Sequence, residues 1–239
     1  MAGGRFLSFE GIDGSGKSTQ ARALAEALRG LGQPALLTRE PGGSAGAEEI
    51  RRLVLEGEPD RWSPETEILL FTAARRDHLE KTIRPALARG EVVITDRFAD
   101  STRMYQGISR GDLAAVVDRL HDLMIGVDPD LTLLIDIDPA VGLSRAVARA
   151  GLEQRFEDMG LALQSRMRAG FLDLAARHPA RFRVIDGARD AGGGGAPTCW
   201  PLDPRPSGDL MPCASVFLGD LARTGPGRGR APSARNRRA

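Results

Sequence analysis

The chain has 239 residues, of which 41% are hydrophobic, and it carries 33 basic against 32 acidic side chains. A chain of this length forms one α/β domain with a sizeable core and leaves residues for an extension. Because it has no apolar run of roughly 18 residues and no secretory signal, the sequence excludes an integral membrane protein and predicts a cytoplasmic location.

The first predicted element is a buried strand that ends in a glycine-rich loop. The apolar run FLSFE at residues 6–10 is followed by GIDGSGKS at residues 11–18, which has the Gly-x-x-x-x-Gly-Lys-Ser spacing of a phosphate-binding loop. Glycine tolerates the dihedral angles that let backbone N–H groups of such a loop point at phosphates. We expect these residues to bind ATP: Gly11, Ile12, Asp13, Gly14, Ser15, Gly16, Lys17, Ser18 and Thr19.

Two side chains of this loop are suited to a nucleotide. The chain contains 31 arginines and only two lysines, yet the loop has Lys17, which is expected to reach the β- and γ-phosphates. The hydroxyl of Ser18 is expected to bind Mg²⁺, and a helix predicted over residues 17–31 directs the positive end of its dipole at the same anion. An ordinary glycine-rich turn is disfavoured, because four specified positions fall in the predicted strand–loop–helix setting.

Four further strands alternate with helices over the rest of the first 190 residues. The strands are predicted at residues 35–39, 92–96, 130–137 and 181–185, and the helices at about 44–54, 65–88, 113–125, 139–149 and 156–177. Strands separated by helices pair in parallel through right-handed crossovers. The predicted fold is therefore an α/β doubly wound five-stranded parallel sheet with helices on both faces, which binds ligands at the carboxyl ends of its strands.

Two features of the sequence narrow down the kind of phosphate-loop protein. Ras-like GTP recognition uses an Asn-Lys-x-Asp motif, and the only asparagine is Asn236, which excludes that class. A hydrolytic ATPase motor usually has a water-activating glutamate after the acid of the third strand, whereas Asp96 is followed by Arg97 and Phe98. An arginine at that position suits a phosphorylated acceptor better than water, so the sequence favours a phosphotransferase.

Four motifs, in their order and separations, resemble those of thymidylate kinase. They are EGIDGSGKST at residues 10–19, TREPGG at 38–43, DRFADS at 96–101 with the following Tyr-Gln pair, and RFE at 155–157. The resemblance covers about residues 1–190 and implies a nucleoside monophosphate kinase of the P-loop kinase fold. Such an enzyme transfers the γ-phosphoryl group of ATP to dTMP, giving dTDP and ADP for dTTP synthesis. The resemblance also implies a homodimer formed through helix packing.

The resemblance implies roles for residues at matching positions. Asp13 would lie near the sugar 3′-hydroxyl and the phosphoryl acceptor, and Arg39 and Arg97 would hold the phosphate of dTMP. Phe71 would stack on thymine and Arg75 would bond its O4. The remaining substrate contacts would come from Thr102, Tyr105 and Gln106.

The predicted catalytic centre combines cations with a divalent metal, because phosphoryl transfer depends on positioning and charge neutralisation. Mg²⁺, held by Ser18 and by Asp96, would bridge the β- and γ-oxygens. A lid at residues 149–155, with Gly151 as a hinge, would bring further arginines to the transferring group. The predicted catalytic residues are Asp13, Lys17, Arg97, Arg149 and Arg155.

Other interpretations of these residues and of the activity remain open. Phe71 and Tyr105 also suit core packing, and Asp13 also suits bracing of the loop. The alternative activities are another small-molecule or nucleoside monophosphate kinase of the same fold and a non-catalytic regulator that binds ATP. Binding to nucleic acid through the basic C-terminal segment is a further alternative, and it is disfavoured to the same degree as the regulator.

The last 49 residues differ in composition from the rest. Residues 1–190 carry 26 basic and 29 acidic side chains, whereas 191–239 carry seven arginines against three aspartates, with nine glycines, seven prolines and both cysteines. Such a segment cannot bury enough apolar surface to offset its ordering entropy, so we expect a disordered tail after a kinase domain at 1–190. An out-of-frame stretch of a GC-rich gene is favoured over a genuine flexible tail or a binding arm.

Overall fold

The computed structural model describes residues 4–58, 61–108, 112–148 and 160–188. Within these residues a single sheet of five parallel strands has the order β2-β3-β1-β4-β5. The strands are β1 (Arg5–Glu10), β2 (Ala35–Arg39), β3 (Val92–Asp96), β4 (Leu131–Asp136) and β5 (Phe182–Asp186). The predicted five-stranded, doubly wound α/β sheet is confirmed.

Eight α-helices accompany these strands in the described part of the chain. They are α1 (Lys17–Gly30), α2 (Ala45–Leu55), α3 (Pro64–His78), α4 (Arg84–Ala88), α5 (Ala99–Thr102), α6 (Ala114–Leu120), α7 (Pro139–Ala148) and α8 (Gly160–Arg177). Three π-helical turns, Leu79–Ile83, Arg103–Ile108 and His121–Ile125, follow α3, α5 and α6. None of the described helices is both long enough and apolar enough to cross a membrane.

The central strand β1 is buried on both sides. Leu7 and Phe9 pack with Leu24 of α1 on one face of the sheet. Phe6 packs on the opposite face with Leu79, which follows α3. Because side chains alternate along a strand, this pattern gives the predicted arrangement of helices on both faces.

The carboxyl ends of the strands meet at one edge of the sheet. In the parallel register Phe9 of β1 lies opposite Asp96 of β3, and Arg39 of β2 lies on the other side of the same aspartate. The glycine-rich loop after β1 therefore opens beside the acid of β3 and the arginine of β2. This is the edge at which the sequence predicted ligand binding.

Candidate active site

The glycine-rich loop has the backbone geometry that its sequence predicted. Gly14 and Gly16 have φ angles of 74° and 92°, in the region where a side chain would be strained. A Cβ atom at Gly14 would also collide with the backbone of Gly142 in α7. The loop is therefore docked on α7, and it leads from β1 directly into α1.

The ammonium group of Lys17 lies inside this loop. Its Nζ donates a hydrogen bond to the carbonyl oxygen of Ile12 at 3.3 Å and lies 3.8 Å from Oδ1 of Asp13. Burial, reinforced by the charge of Arg97, lowers the pKa of Lys17 to about 8, although nearby carboxylates partly offset this. The free protein thus holds a lysine that loses its charge in mildly alkaline solution.

ATP binding is expected to take up a proton near pH 8.5, because phosphates raise the pKa of a nearby ammonium group. With a pKa of about 8, Lys17 is neutral in well over half of the free protein molecules at pH 8.5 and in few of them at pH 7. Calorimetric titration in buffers of different ionisation enthalpy measures the proton uptake. The Lys17→Arg variant stays charged throughout. At pH 8.5 the number of protons taken up by wild type on ATP binding should therefore exceed that of the variant by about half a proton or more. If wild type and Lys17→Arg differed by as many protons at pH 7, the proton uptake would not come from Lys17.

The remaining loop residues contribute mainly backbone. The side chain of Ile12 belongs to a buried hydrophobic cluster with Met167 and Phe171 of α8. The hydroxyl of Ser15 is buried without a hydrogen-bond partner among the described residues, whereas Ser18 is exposed at the cavity. Of these residues, only Ser18 therefore presents its side chain to the cavity.

A cavity of about 320 Å³ opens between the loop and the carboxyl ends of β2 and β3. It brings together every predicted substrate-binding residue, which are Arg39, Phe71, Arg75, Arg97, Thr102, Tyr105 and Gln106. Phe71 is half-buried and belongs to none of the core clusters of the described residues, so its ring is available to a ligand. The two predicted lid arginines, Arg149 and Arg155, lie outside the described residues.

Arg97, Asp13 and Tyr105 form one hydrogen-bonded cluster at the loop side of the cavity. Nη2 of Arg97 donates to Oδ1 of Asp13 and, at 3.1 Å, to the Tyr105 hydroxyl, which in turn donates to Oδ2 of Asp13 at 2.7 Å. Burial alone would raise the pKa of Asp13, but the charges of Arg97 and Lys17 hold it below its ordinary value. Asp13 is thus an ionised, well-braced carboxylate facing the cavity.

The backbone of Arg97 is held in a conformation that is unusual for a residue with a side chain. Its φ is 71°, its N–H donates to the carbonyl of Phe9 at 3.0 Å, and its carbonyl accepts from the Thr95 hydroxyl at 2.8 Å. Glu10 fixes the next turn by accepting from Phe98 N–H at 2.7 Å and from the Ser101 hydroxyl at 2.6 Å. Strained residues of this kind concentrate at functional sites.

A second hydrogen-bonded group lies at the opposite end of the cavity. Arg75 donates from Nε to Oε2 of Glu40 at 2.7 Å and from Nη2 to the Thr102 hydroxyl at 2.9 Å. Glu40 also contacts His78, which is fully buried. Of the two adjacent arginines on α3, Arg75 is therefore the one that lines the cavity, whereas Arg76 pairs with an exposed glutamate.

Sequence reasoning missed three polar residues that shape the site. Glu10 and Glu40 stood inside quoted motifs but received no role, and Gln164 of α8 was not noticed. Gln164 is buried and donates to Oδ2 of Asp13 at 3.3 Å. The sequence pattern could have identified Gln164, since it is a polar residue on the helix face that Met167 and Phe171 use for the core. Burial and the charge of Asp100 raise the pKa of Glu10 to about 8.

The parallel sheet, the phosphate-binding loop and the arginine-lined cavity at the carboxyl ends of the strands define a P-loop kinase. Comparison with known proteins identifies its family. The family model described as thymidylate kinase matches residues 9–191, most of the chain. The chain therefore belongs to the thymidylate kinase family.

Individual relatives agree with this assignment. The thymidylate kinase of Ruegeria pomeroyi is 75% identical over 187 residues, which are 78% of this chain and 89% of that protein. The thymidylate kinase of Dinoroseobacter shibae is 69% identical over 186 residues, covering 78% of this chain and 90% of its own. A crystal structure of thymidylate kinase from Ehrlichia chaffeensis matches with a TM-score of 0.63 at 39% identity, over 77% of this chain and 93% of that one.

Proposed function

We propose that this chain transfers the γ-phosphoryl group of ATP to dTMP, giving dTDP and ADP. The observation that carries this proposal is the cavity, which joins a phosphate-binding loop at one end to the Arg75 and Phe71 side chains at the other. Offering ATP·Mg with each nucleoside monophosphate and measuring ADP tests it. Preferred turnover of dTMP is expected, and preference for another acceptor would overturn the proposal.

The charged residues at the loop end suit the transfer step. In this proposal Lys17 binds the phosphates of ATP, and Arg97 and Arg39 bind the phosphate of dTMP. Asp13 orients the acceptor through its sugar 3′-hydroxyl while remaining ionised, which its lowered pKa supports. Cations positioned in this way neutralise charge on the transferring phosphoryl oxygens without having to reorganise.

The residues at the other end suit a pyrimidine. Phe71 offers a ring face, and Arg75 offers N–H donors to a carbonyl oxygen such as thymine O4. Thr102 and Gln106 lie beside them on the cavity wall. These assignments follow the positions that the sequence predicted, and their common exposure to one cavity supports them.

The site fits a divalent metal bound together with a nucleotide. Oδ1 of Asp96 is buried and has no hydrogen-bond partner among the described residues, and both Asp96 and Ser18 line the cavity. Mg²⁺ is typically bound by one or two protein side chains together with phosphate oxygens, a set that Ser18, Asp96 and a nucleotide would provide. When bound by Ser18 and Asp96, the metal would neutralise charge on the β- and γ-phosphates.

Tyr105 is expected to select deoxyribose, because in the proposed binding mode its ring would occupy the space that a ribose 2′-hydroxyl needs. Replacing Tyr105 by alanine should lower the ratio of kcat/KM for deoxy over ribo substrate of the same base by about tenfold. Tyr105→Phe keeps the ring and loses only the hydroxyl that bonds Asp13, so it should keep the ratio. A wild-type ratio in Tyr105→Ala would mean that the residue serves packing alone.

We further propose that the kinase domain comprises residues 1–190. The match to the family model ends at residue 191, which supports this boundary. Truncation after Asp190 should therefore leave kcat and KM for dTMP within about threefold of the full chain. Complete loss of activity in a folded truncated protein would contradict the boundary. The homodimer and the cytoplasmic location stay predictions.

A further inference from the structure

Glu40 is a buried anion in the cavity wall that phosphoryl transfer does not use. Its side chain is only 4% exposed, and Oε2 accepts the hydrogen bond from Nε of Arg75 at 2.7 Å. Its other oxygen, Oε1, lies 3.1 Å from Nδ1 of His78. Because an ionised carboxylate can only accept, His78 donates from Nδ1. Both oxygens of this carboxylate are therefore committed to neighbouring side chains.

These contacts continue on both sides of Glu40. The other ring nitrogen of His78, Nε2, shares a hydrogen bond of 2.8 Å with the hydroxyl of Thr38 on β2. Nη2 of Arg75 donates to the hydroxyl of Thr102 on α5 at 2.9 Å. The guanidinium group is thus held at two nitrogens, by groups that are anchored on different elements of the fold.

One end of the Arg75 guanidinium group is left for a ligand. Nη1 has no hydrogen-bond partner among the described residues, and Arg75 lines the cavity. Arg75 also lies with its guanidinium carbon 5.1 Å from the ring centroid of Phe98, which limits its tilt. The guanidinium group presents its remaining N–H groups from a fixed plane.

We infer that Glu40 is a positioning residue for base selection, because it fixes the direction in which Arg75 offers these donors. The inference rests on the proposed function, in which Arg75 bonds thymine O4. A fixed donor can form a hydrogen bond with a carbonyl at the pyrimidine 4-position. It cannot form one with the amino group of cytosine, which is also a donor. A site built for one hydrogen bond rejects the wrong group strongly, since the mismatch leaves a buried polar group unpaired.

The test compares dTMP with dCMP in the full chain. Glu40→Gln keeps the shape of the side chain but removes the charge that strengthens its bond to the guanidinium group. The ratio of kcat/KM for dTMP over dCMP should fall by about tenfold, while kcat at saturating dTMP stays within about threefold. If dCMP is not turned over, the ratio of its competitive inhibition constant to the KM for dTMP is measured instead, and this binding ratio should fall in the same direction. Glu40→Asp, which keeps the charge but withdraws the carboxylate, should lower the ratio in the same direction.

Two further variants separate positioning from folding. In an Arg75→Ala background, adding Glu40→Gln should change the ratio no further, since Glu40 acts through Arg75. Asp77→Asn is the matched control, because Asp77 of α3 is likewise a carboxylate that accepts a side-chain hydrogen bond, from Ser44 at 2.7 Å, but it does not line the cavity. It should leave the ratio unchanged.

The outcomes distinguish this inference from the proposed function. If Arg75→Ala lowers the ratio and Glu40→Gln does not, the positioning role is wrong while the proposed function holds. If Glu40→Gln weakens dTMP and dCMP equally, Glu40 only supports the fold and the inference is overturned. If Arg75→Ala leaves the ratio unchanged while dTMP is still phosphorylated, base selection by Arg75 fails, and the inference fails with it.

Discussion

Replacing Lys17 by alanine is expected to lower kcat by about 10²-fold or more. Its ammonium group lies inside the phosphate-binding loop, 3.3 Å from the Ile12 carbonyl, at the start of α1. The charge that develops on the transferring group is stabilised most by cations that are already in place, so removing this one acts on the transition state more than on binding. Steady-state kinetics with ATP·Mg and dTMP measures the loss.

The chain provides a matched control for this experiment. Lys81 is the only other lysine, and it is exposed on the π-helical turn after α3, away from the cavity. Lys81→Ala should therefore show wild-type kcat and KM. Turnover in Lys17→Ala that matches Lys81→Ala would mean that Lys17 has no part in the transfer.

The fold was predictable because its signals are local. Each strand of the sheet is a short apolar run bounded by glycine, proline or a helix, so alternation with helices was enough to give the parallel topology. The π-helical turn at Leu79–Ile83 was not predicted, since the apolar pattern at 65–88 also suits an uninterrupted helix. Residues 99–108, for which no helix was predicted, form α5 and the π-helical turn Arg103–Ile108.

The site was predictable only where a motif carries its own chemistry. The loop residues and Arg97 could be identified from spacing and resemblance. The role of Glu40 could not, because it depends on Arg75 and His78, which lie 35 and 38 residues away along the chain. His78 is fully buried and contacts both Thr38 and Glu40, so it belongs to the same hydrogen-bonded network. Such networks form by tertiary packing and leave little trace in a single sequence.

The helices on both sides of residues 149–159 contact the phosphate-binding loop. Gly142 of α7 packs against Gly14, and Gln164 of α8 donates to Asp13 at 3.3 Å. The intervening residues, which include Arg149 and Arg155, lie outside the described part of the chain, but both flanking helices are held at the loop.

Replacing Arg149 and Arg155 singly by alanine is expected to lower kcat by about 10³-fold for whichever one binds the transferring phosphoryl group, with KM for dTMP little changed. The four arginines that line the described cavity have partners already: Arg75 bonds Glu40, Arg97 bonds Asp13, Arg39 bonds Glu48 and Arg51 donates to the Pro41 carbonyl. Because these side chains are committed to the acceptor side of the cavity, the additional cation that the transition state requires should come from the lid.

Arg177→Ala provides the control, since Arg177 is exposed at the far end of α8, where it pairs with Asp173. It should change neither kcat nor KM. A loss in KM for dTMP without a loss in kcat would place the lid arginines in acceptor binding instead of catalysis. If neither single variant loses activity, the transferring group must be neutralised by cations of the described cavity, and Arg97 then becomes the first candidate because it lies closest to Asp13.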